Sequence, residues 1–531
     1  MNIPRQLILA LGLICTLSVV GADSFYKEPY GIFSTRPDAK KSLQTIKRFG
    51  PVGLGIDLIQ PAFTMRIANV EEGSPAAATG KLAKGQIIDS INGRKLADID
   101  PRIQFGQLLA RAEATDGLLK FTIRGVAAPV TVQVPVLGAY SKTWPLNCPK
   151  SDKIVRQVAD YLSQPDAQKG LAGIGVLFLL STGEAKDLNV AREWAQNLKP
   201  HRYPWYIGYG GIPLAEAYLR TGDPVILANI QAGVDNAVAT QYLGGWLGRG
   251  GVTPSYGNGH LNAAGTHVLT FLLLAKECGA KVPDQTLDDA LVHFYRYAGR
   301  GGNPYGDNRP EYGFVDNGKN GLLAFAMAAA AALTPNGEQS VYARARDVCA
   351  IQSFYTTSFM LHGHTGGGIG EIWRSASMGL LHEKKPRQYR EFMDQRQWHY
   401  DLSRRFDGSF GILGGAGYDK EQWGVAYPLA YTIPRKTLRI TGAAPSQFSK
   451  RFKLPELPWG TKADNAFFSL EAAADAHGHK QDLSKETLAA DSSKAILIRL
   501  HNSGEVSDDL LRKYVFHQDH NIRFVAANKV L

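Results

Sequence analysis

The sequence predicts a multidomain α+β protein, in which a small β-rich domain precedes a mainly helical domain and a short helical tail. Three observations lead there. Residues 49–136 alternate short strands and turns around one helix. Apolar residues recur at helical spacing from about Lys153 to Thr441. Finally, 24 of the 56 glycines fall into four clusters between the helical segments. The length, 531 residues, exceeds one ordinary domain. Hydrophobic residues at 44% and charged residues at 20% supply packed cores and exclude a mainly disordered or coiled-coil chain. The glycines have no Gly-X-Y period, which excludes collagen.

Residues 1–22 read as a signal peptide. Arg5 precedes an apolar run from Leu7 to Val20, and Val20-Gly21-Ala22 offers small residues for cleavage. The run is too short to span a bilayer, and no later segment is apolar enough to do so. A secreted or periplasmic protein is therefore expected. Cys148, Cys278 and Cys349 are too few for a disulfide framework, although one bridge is open to them. The net charge of +11 is moderate for this length and comes without a basic run interleaved with aromatics, so no nucleic-acid partner is expected.

Within residues 45–138, Phe49-Gly50-Pro51-Val52-Gly53-Leu54-Gly55-Ile56 makes a glycine-rich turn into a strand at Ile56–Ile59. A second strand follows at Phe63–Val70. Glu72-Gly73-Ser74-Pro75-Ala76-Ala77 opens a short helix, and Ile91-Asn92-Gly93 ends a strand in an Asn-Gly turn. A helix from Pro101 to about Glu113 and strands at Leu118–Ile123 and Val130–Val136 complete the unit. These motifs in this order resemble a bacterial PDZ domain, with Gln86 standing where that family usually carries Asp. The resemblance implies a groove between the Ile56–Ile59 strand and the helix, where a peptide or protein C-terminus adds as an extra strand. Gly53, Leu54, Gly55 and Ile56 would hold the terminal carboxylate and begin the pocket, with Leu58, Ile103 and Gln107 lining the rest.

After a linker at 139–152, candidate helices fall at 153–163, 171–181, 188–198, 212–220, 224–242, 261–278, 286–298, 320–333, 338–358, 372–382, 387–405 and 422–440. The glycine clusters Gly244–Gly259, Gly299–Gly321, Gly363–Gly370 and Gly408–Gly417 are spaced by about one helix pair each, and a small-residue-rich helix follows each of them. A helical hairpin repeated in this way is what an α/α solenoid closed into a toroid would show. The loops Gly244-Gly245-Trp246 and Asp407-Gly408-Ser409-Phe410-Gly411 resemble those of the α/α toroids in terpene cyclases, protein prenyltransferases and thioester-containing domains. The chain as a whole resembles secreted bacterial proteins that join a PDZ module to such a domain, which implies an architecture and no reaction. An irregular linker at 443–484 follows the toroid-like region 153–442. In the tail, 485–531, Asp519-His520-Asn521-Ile522-Arg523-Phe524-Val525-Ala526-Ala527 resembles the second helix of a HEAT repeat.

The loops at one end of such a ring carry the candidate chemistry. Asp316 with Asp407 or Glu371 could act as the acid–base pair of a glycoside hydrolase. Tyr256 with His260 could abstract a proton in a polysaccharide lyase, where a positive chain would help hold an acidic polymer. Asn258, Glu311, Tyr312, Tyr418 and Asp419 are further polar loop residues. Trp246, Tyr256, Tyr305, Tyr312 and Tyr418 could stack on sugar rings or cover helix ends. His362 and His364, near Glu371, are weak metal candidates. Asp347-Val348-Cys349 resembles a zinc-binding Asp-x-Cys but lies inside a predicted helix, so no metal and no cofactor is expected. No Cys-Gly-Glu-Gln run and no Asp-rich acid motif is present, which weighs against thioester and cyclase chemistry.

Overall fold

A computed structural model describes residues 43–96, 101–247, 260–295, 319–355, 371–413, 422–458, 506–516 and 520–531, together with a few single positions between them. The first unit is an antiparallel sheet of β1 (Leu43–Phe49), β2 (Leu54–Ile59), β3 (Thr64–Val70), β4 (Ile87–Ile91), β5 (Arg94–Lys95), β6 (Leu118–Ile123) and β7 (Val130–Gln133). The strand order is β1-β2-β3-β4-β6-β7, with β5 paired to β4 alone. Alternation does what the pattern requires: in β6, Leu119, Phe121 and Ile123 point inward while Lys120 faces out. Asn92 and Gly93 both have positive φ, at 51° and 72°, as the tight β4–β5 turn needs. Gln86 holds its own turn, accepting from the Ala83 N–H at 2.8 Å. Helix α1 (Pro101–Ala114) covers the sheet, and Phe105 sits 5.4 Å from the Phe49 ring and 6.1 Å from that of Phe121.

The remainder of the described chain is mostly helical: α2 (Pro149–Leu162), α3 (Pro165–Gln168), α4 (Gly173–Thr182), α5 (Ala185–Asn197), α6 (Pro204–Thr221) and α7 (Pro224–Ala239) come first. A short hairpin of β8 (Gln241–Tyr242) and β9 (Gly245–Trp246) follows. Then come α8 (Asn262–Cys278), α9 (Asp284–Tyr295), α10 (Lys319–Leu333), α11 (Val341–Tyr355), α12 (Glu371–Gly379), α13 (Pro386–Asp394), α14 (Gln397–Ser403) and α15 (Ala426–Thr432). In the tail, α16 (Asp508–Val515) and α17 (His520–Val530) pack on each other around Leu511, Tyr514 and Ile522, a core separate from the main one.

Six of these helices form an inner layer. Helix α4 packs on α6, α6 on α8, α8 on α10, α10 on α12, α12 on α15, and α15 returns to α4, so the contacts close on themselves. Helices α2, α5, α7, α9, α11 and α13 lie outside them. Helix α8, enclosed by neighbours, is buried on every side: all 17 of its residues are shielded, polar ones such as Thr266, His267 and Thr270 included.

Several boundaries differ from expectation. The segment 139–148 is not a slack linker, because Trp144 is fully buried with its ring edge-on to Tyr140 and Tyr431. The predicted helix 387–405 is two helices, α13 and α14, and 422–440 is a short α-helix flanked by 3-10 turns. Cys148, Cys278 and Cys349 are buried and form no disulfide. Helix α6 begins at Pro204, eight residues before the predicted start, and runs through Gly208, Gly210, Gly211 and Pro213.

Packing explains those glycines. A Cβ on Gly208 would lie 2.3 Å from His267 Cβ and 2.7 Å from the Val268 backbone N, and one on Gly211 would lie 2.4 Å from the Phe271 ring. The absence of these side chains lets α6 and α8 approach closely. Toward the other end of α6, buried Glu216 accepts hydrogen bonds from the backbone N–H groups of Arg439 (2.9 Å) and Ile440 (3.0 Å), while Arg439 Nε pairs with Glu277 at 2.6 Å. Burial pushes the Glu216 carboxyl up to about 7, against those two hydrogen bonds and with a contribution from nearby Glu277.

Two outcomes follow from this packing. Gly208→Ala should destabilise the protein by about 2 kcal/mol despite the better helix propensity of alanine, because backbone must move. Gly210→Ala, whose Cβ would meet only Leu198 Cδ2 at 3.4 Å, should be neutral or stabilising by up to ~1 kcal/mol in urea unfolding. The raised Glu216 pKa means that the folded state keeps a proton the unfolded state releases. Its contribution is therefore full below about pH 4.5 and is lost as pH rises through about 7. Denaturation curves across that range should show the decline in the native protein and a flatter profile in Glu216→Gln.

Candidate functional site

The groove expected beside β2 is already filled. Strand β1 pairs antiparallel along the outer edge of β2, with Gln44 opposite Leu58, Ile46 opposite Ile56 and Phe49 opposite Leu54. Since β3 holds the other edge, β2 has no free edge for a peptide. The chain thus lays its own strand where a C-terminal peptide would add, with Phe49 fully buried beside Phe105 at the end where such a peptide would terminate. Leu54, Ile56, Leu58 and Ile103 are core residues, each at most 1% exposed. Gly53 packs on Ser74, Gly55 packs on Asn69, and Gln107 faces solvent. The turn leading into the expected carboxylate loop is also engaged: the Gly50 N–H donates to the Leu402 carbonyl at 2.8 Å.

That contact belongs to a wider junction. Helix α1 packs on α14, and a Cβ on Gly106 would lie 2.7 Å from Trp398 Cβ. Glu113 on α1 sits 2.6 Å from Arg404 Nη2 and 2.7 Å from Lys150 Nζ on α2, and Arg404 also pairs with Asp401 at 2.9 Å. Tyr140 donates to Asp401 at 2.5 Å. All four charged side chains are at most 5% exposed. Burial opposes ionisation of Glu113, but Arg404 and Lys150 outweigh it and hold its carboxyl below the usual range.

Among the expected catalytic residues, Asp407 is a structural tether. Its carboxylate pairs with Arg48 on β1 at 2.7 Å and accepts from the Ser409 N–H and hydroxyl at 2.9 and 2.6 Å. Although burial works the other way, these partners hold it below its ordinary pKa. His260 is 6% exposed, its Nε2 donates to the Tyr242 carbonyl at 2.5 Å, and its ring meets His293 edge-on. Trp246 covers a helix end, fully buried and donating to the Ala237 carbonyl at 2.9 Å. Glu371 begins α12, but its side chain lies outside the described residues. So do Tyr256, Asn258, Tyr305, Glu311, Tyr312, Asp316, His362, His364, Tyr418 and Asp419. Among the described residues no three His, Cys, Asp or Glu side chains gather to hold a metal ion. Asp347 instead pairs with Arg346 and Lys384. No helix among the described residues is long and apolar enough to cross a membrane.

A cavity that sequence reading did not find lies at the N-terminal ends of the inner helices α4 and α6. Its volume is about 280 Å³, and its walls include Trp194, Trp205, Tyr209, Phe271 and Trp423. Local sequence shapes it. Pro213 has no N–H for the Tyr209 carbonyl, and Gly210 and Gly211 leave the first turns of α6 without bulk on this side. The Ala172 N–H donates to Gln422 Oε1 at 3.0 Å, bringing Trp423 over the start of α4. Beside the cavity, His267 stacks on Tyr209 with centroids 3.8 Å apart. Its Nδ1 donates to the Ala263 carbonyl at 2.6 Å, and its Nε2 accepts from Trp373 Nε1 at 3.0 Å. Burial pushes this imidazole down to about 3, so it is neutral, with both nitrogens occupied by protein. It holds the Tyr209 and Trp373 rings in place. The signal that would have located the cavity is the run Trp205-Tyr206-Ile207-Gly208-Tyr209-Gly210-Gly211, dense in aromatics and glycine.

The geometry corresponds to a known family boundary. The model of the family described as "Domain of unknown function (DUF6288)" matches residues 151–442. The chain belongs to this family. The DUF6288 region begins two residues into α2 and ends at Gly442, just beyond the turn that caps Glu216, so it coincides with the closed set of helices and leaves the sheet outside. No curated protein and no solved structure matches the chain.

Loss of one member of the buried junction should be costly, because it strands a charge away from water. Arg404→Ala should destabilise the protein by about 3–5 kcal/mol in urea unfolding. Arg124→Ala, which removes an exposed pair with Asp89, should cost less.

Proposed function

We propose that this DUF6288 protein is an exported binding protein in which a PDZ-like module and an α/α toroid act as one rigid body. In this reading the toroid takes a small ligand at the N-terminal ends of α4 and α6, and the PDZ-like module is a support. The observation that carries it is the cavity of about 280 Å³ walled by Trp194, Trp205, Tyr209, Phe271 and Trp423. A concave, largely apolar pocket with a few polar groups at its rim is the usual form of a small-molecule site.

Binding is favoured over catalysis because Asp407 and His260, the two expected catalytic residues with described side chains, are both committed to structural contacts. Peptide capture by the module is disfavoured by β1, which Arg48 anchors through Glu71 and Asp407 at 2.7 Å each. A peptide would have to displace both the strand and those pairs.

The neutral fluorophore N-phenyl-1-naphthylamine tests the reading with the full-length protein. It should bind with one-to-one saturation and quench tryptophan emission. Gly210→Leu, which directs a side chain into the cavity, should weaken binding at least tenfold while unfolding remains cooperative. Unsaturable binding, or equal binding to a folded Gly210→Leu variant, would rule the cavity out as a site.

A further inference from the structure

We infer that the cavity takes a small amphipathic monocarboxylate, its apolar body held between the aromatic walls and its carboxylate at the mouth against Lys199 and His201. This rests on reading the cavity as a ligand site and adds the chemical class of the ligand. The interior is apolar, formed by Ile174, Leu214 and Phe271 between the aromatic walls. The charge at the opening has one sign. Lys199 lines the cavity, is exposed, and has no carboxylate partner among the described residues, and no Asp or Glu among them lines the cavity. His201 also lines it, and its Nδ1 accepts from the Tyr203 N–H at 3.0 Å. The proton of the neutral ring is therefore on Nε2, which supplies a second donor.

This arrangement discriminates between ligand classes. An aromatic-walled pocket suits an organic cation in general, but a cation here would meet Lys199 without a counter-charge. A sugar needs both acceptors and donors for its hydroxyl groups, and the apolar interior would leave most of those groups without partners. A carboxylate with an apolar body satisfies both the donors at the mouth and the interior. About 280 Å³ lies at the small end of ligand pockets, which suits two small ring systems or a short chain and excludes an oligosaccharide. Glu193 lines the adjoining hollow, which shares Trp194, Leu198 and Lys199 with the cavity. A carboxylate placed out in that hollow would face Glu193, so the head group belongs at the inner side of Lys199.

Displacement of bound N-phenyl-1-naphthylamine by decanoate, decan-1-ol and cellobiose, each below any micellar concentration, tests this on the full-length protein. Decanoate should displace the probe at least ~5-fold more tightly than decan-1-ol, and cellobiose should not compete. Lys199→Glu, a surface change, should abolish the preference for decanoate over decan-1-ol. Equal or better displacement by decan-1-ol or cellobiose, or an unchanged decanoate preference in Lys199→Glu, overturns the carboxylate assignment while the site itself stands. Failure of the neutral probe to bind overturns the site and the assignment together.

Discussion

Glu113 and Arg404, 2.6 Å apart and shielded from water, set the relation between the two halves of the molecule. Each half carries charges that its own helices disfavour. Glu113 stands near the C-terminus of α1, where the helix dipole repels an anion, and Lys150 stands in the first turn of α2, where the dipole repels a cation. Brought together with Arg404 and Asp401, the four charges sum to zero. Such a cluster is tolerated only when every member is present, so it demands one docking geometry more than it adds stability. From that geometry follow the packing of Gly106 on Trp398, the Gly50–Leu402 hydrogen bond and the pairing of Arg48 with Asp407.

Those contacts hold β1 in place, and with it both edges of β2 are paired. A β-strand with an open edge is a template for another strand. Here the edge of β2 is covered by β1, whose last residue, Phe49, enters the core between β2 and α1. The β1 segment is short and carries Lys47 and Arg48, so as a new outer edge it offers little to a passing chain.

Much of this was legible in sequence where the signal is local. Alternation located β6, the Asn92-Gly93 pair marked a two-residue turn, and helical spacing located α8 and α10 nearly to the residue. Signals that depend on distant partners were not. In residues 43–49 the apolar side chains Leu43, Ile46 and Phe49 fall three apart and do not alternate, so only pairing with β2 reveals the strand. Asp407 reads as a loop carboxylate suited to catalysis until Arg48, 359 positions away, is seen beside it. The start of α6 was hidden because three glycines and a proline weaken helix propensity. Tertiary packing on α8 overrides that weakness, and the same residues open the cavity that sequence reading missed. For the loops around Tyr256, Asp316 and His362, sequence supplied candidates whose placement lies outside the described residues.

The return of α15 to α4 has a further consequence, for how the protein is made. Residues 426–432 complete a layer that begins at residue 173, so about half the chain separates the two edges of the seam. During synthesis, α4 leaves the ribosome long before its final neighbour exists, and its apolar flank must wait uncovered. The sheet is in the same position, because α1 docks on a helix nearly 300 residues downstream. Contacts this far apart in sequence make for slow maturation, and a chain cut short before residue 432 would have an unsealed seam exposing greasy surface on both sides. Neither half can be finished until the other has been delivered.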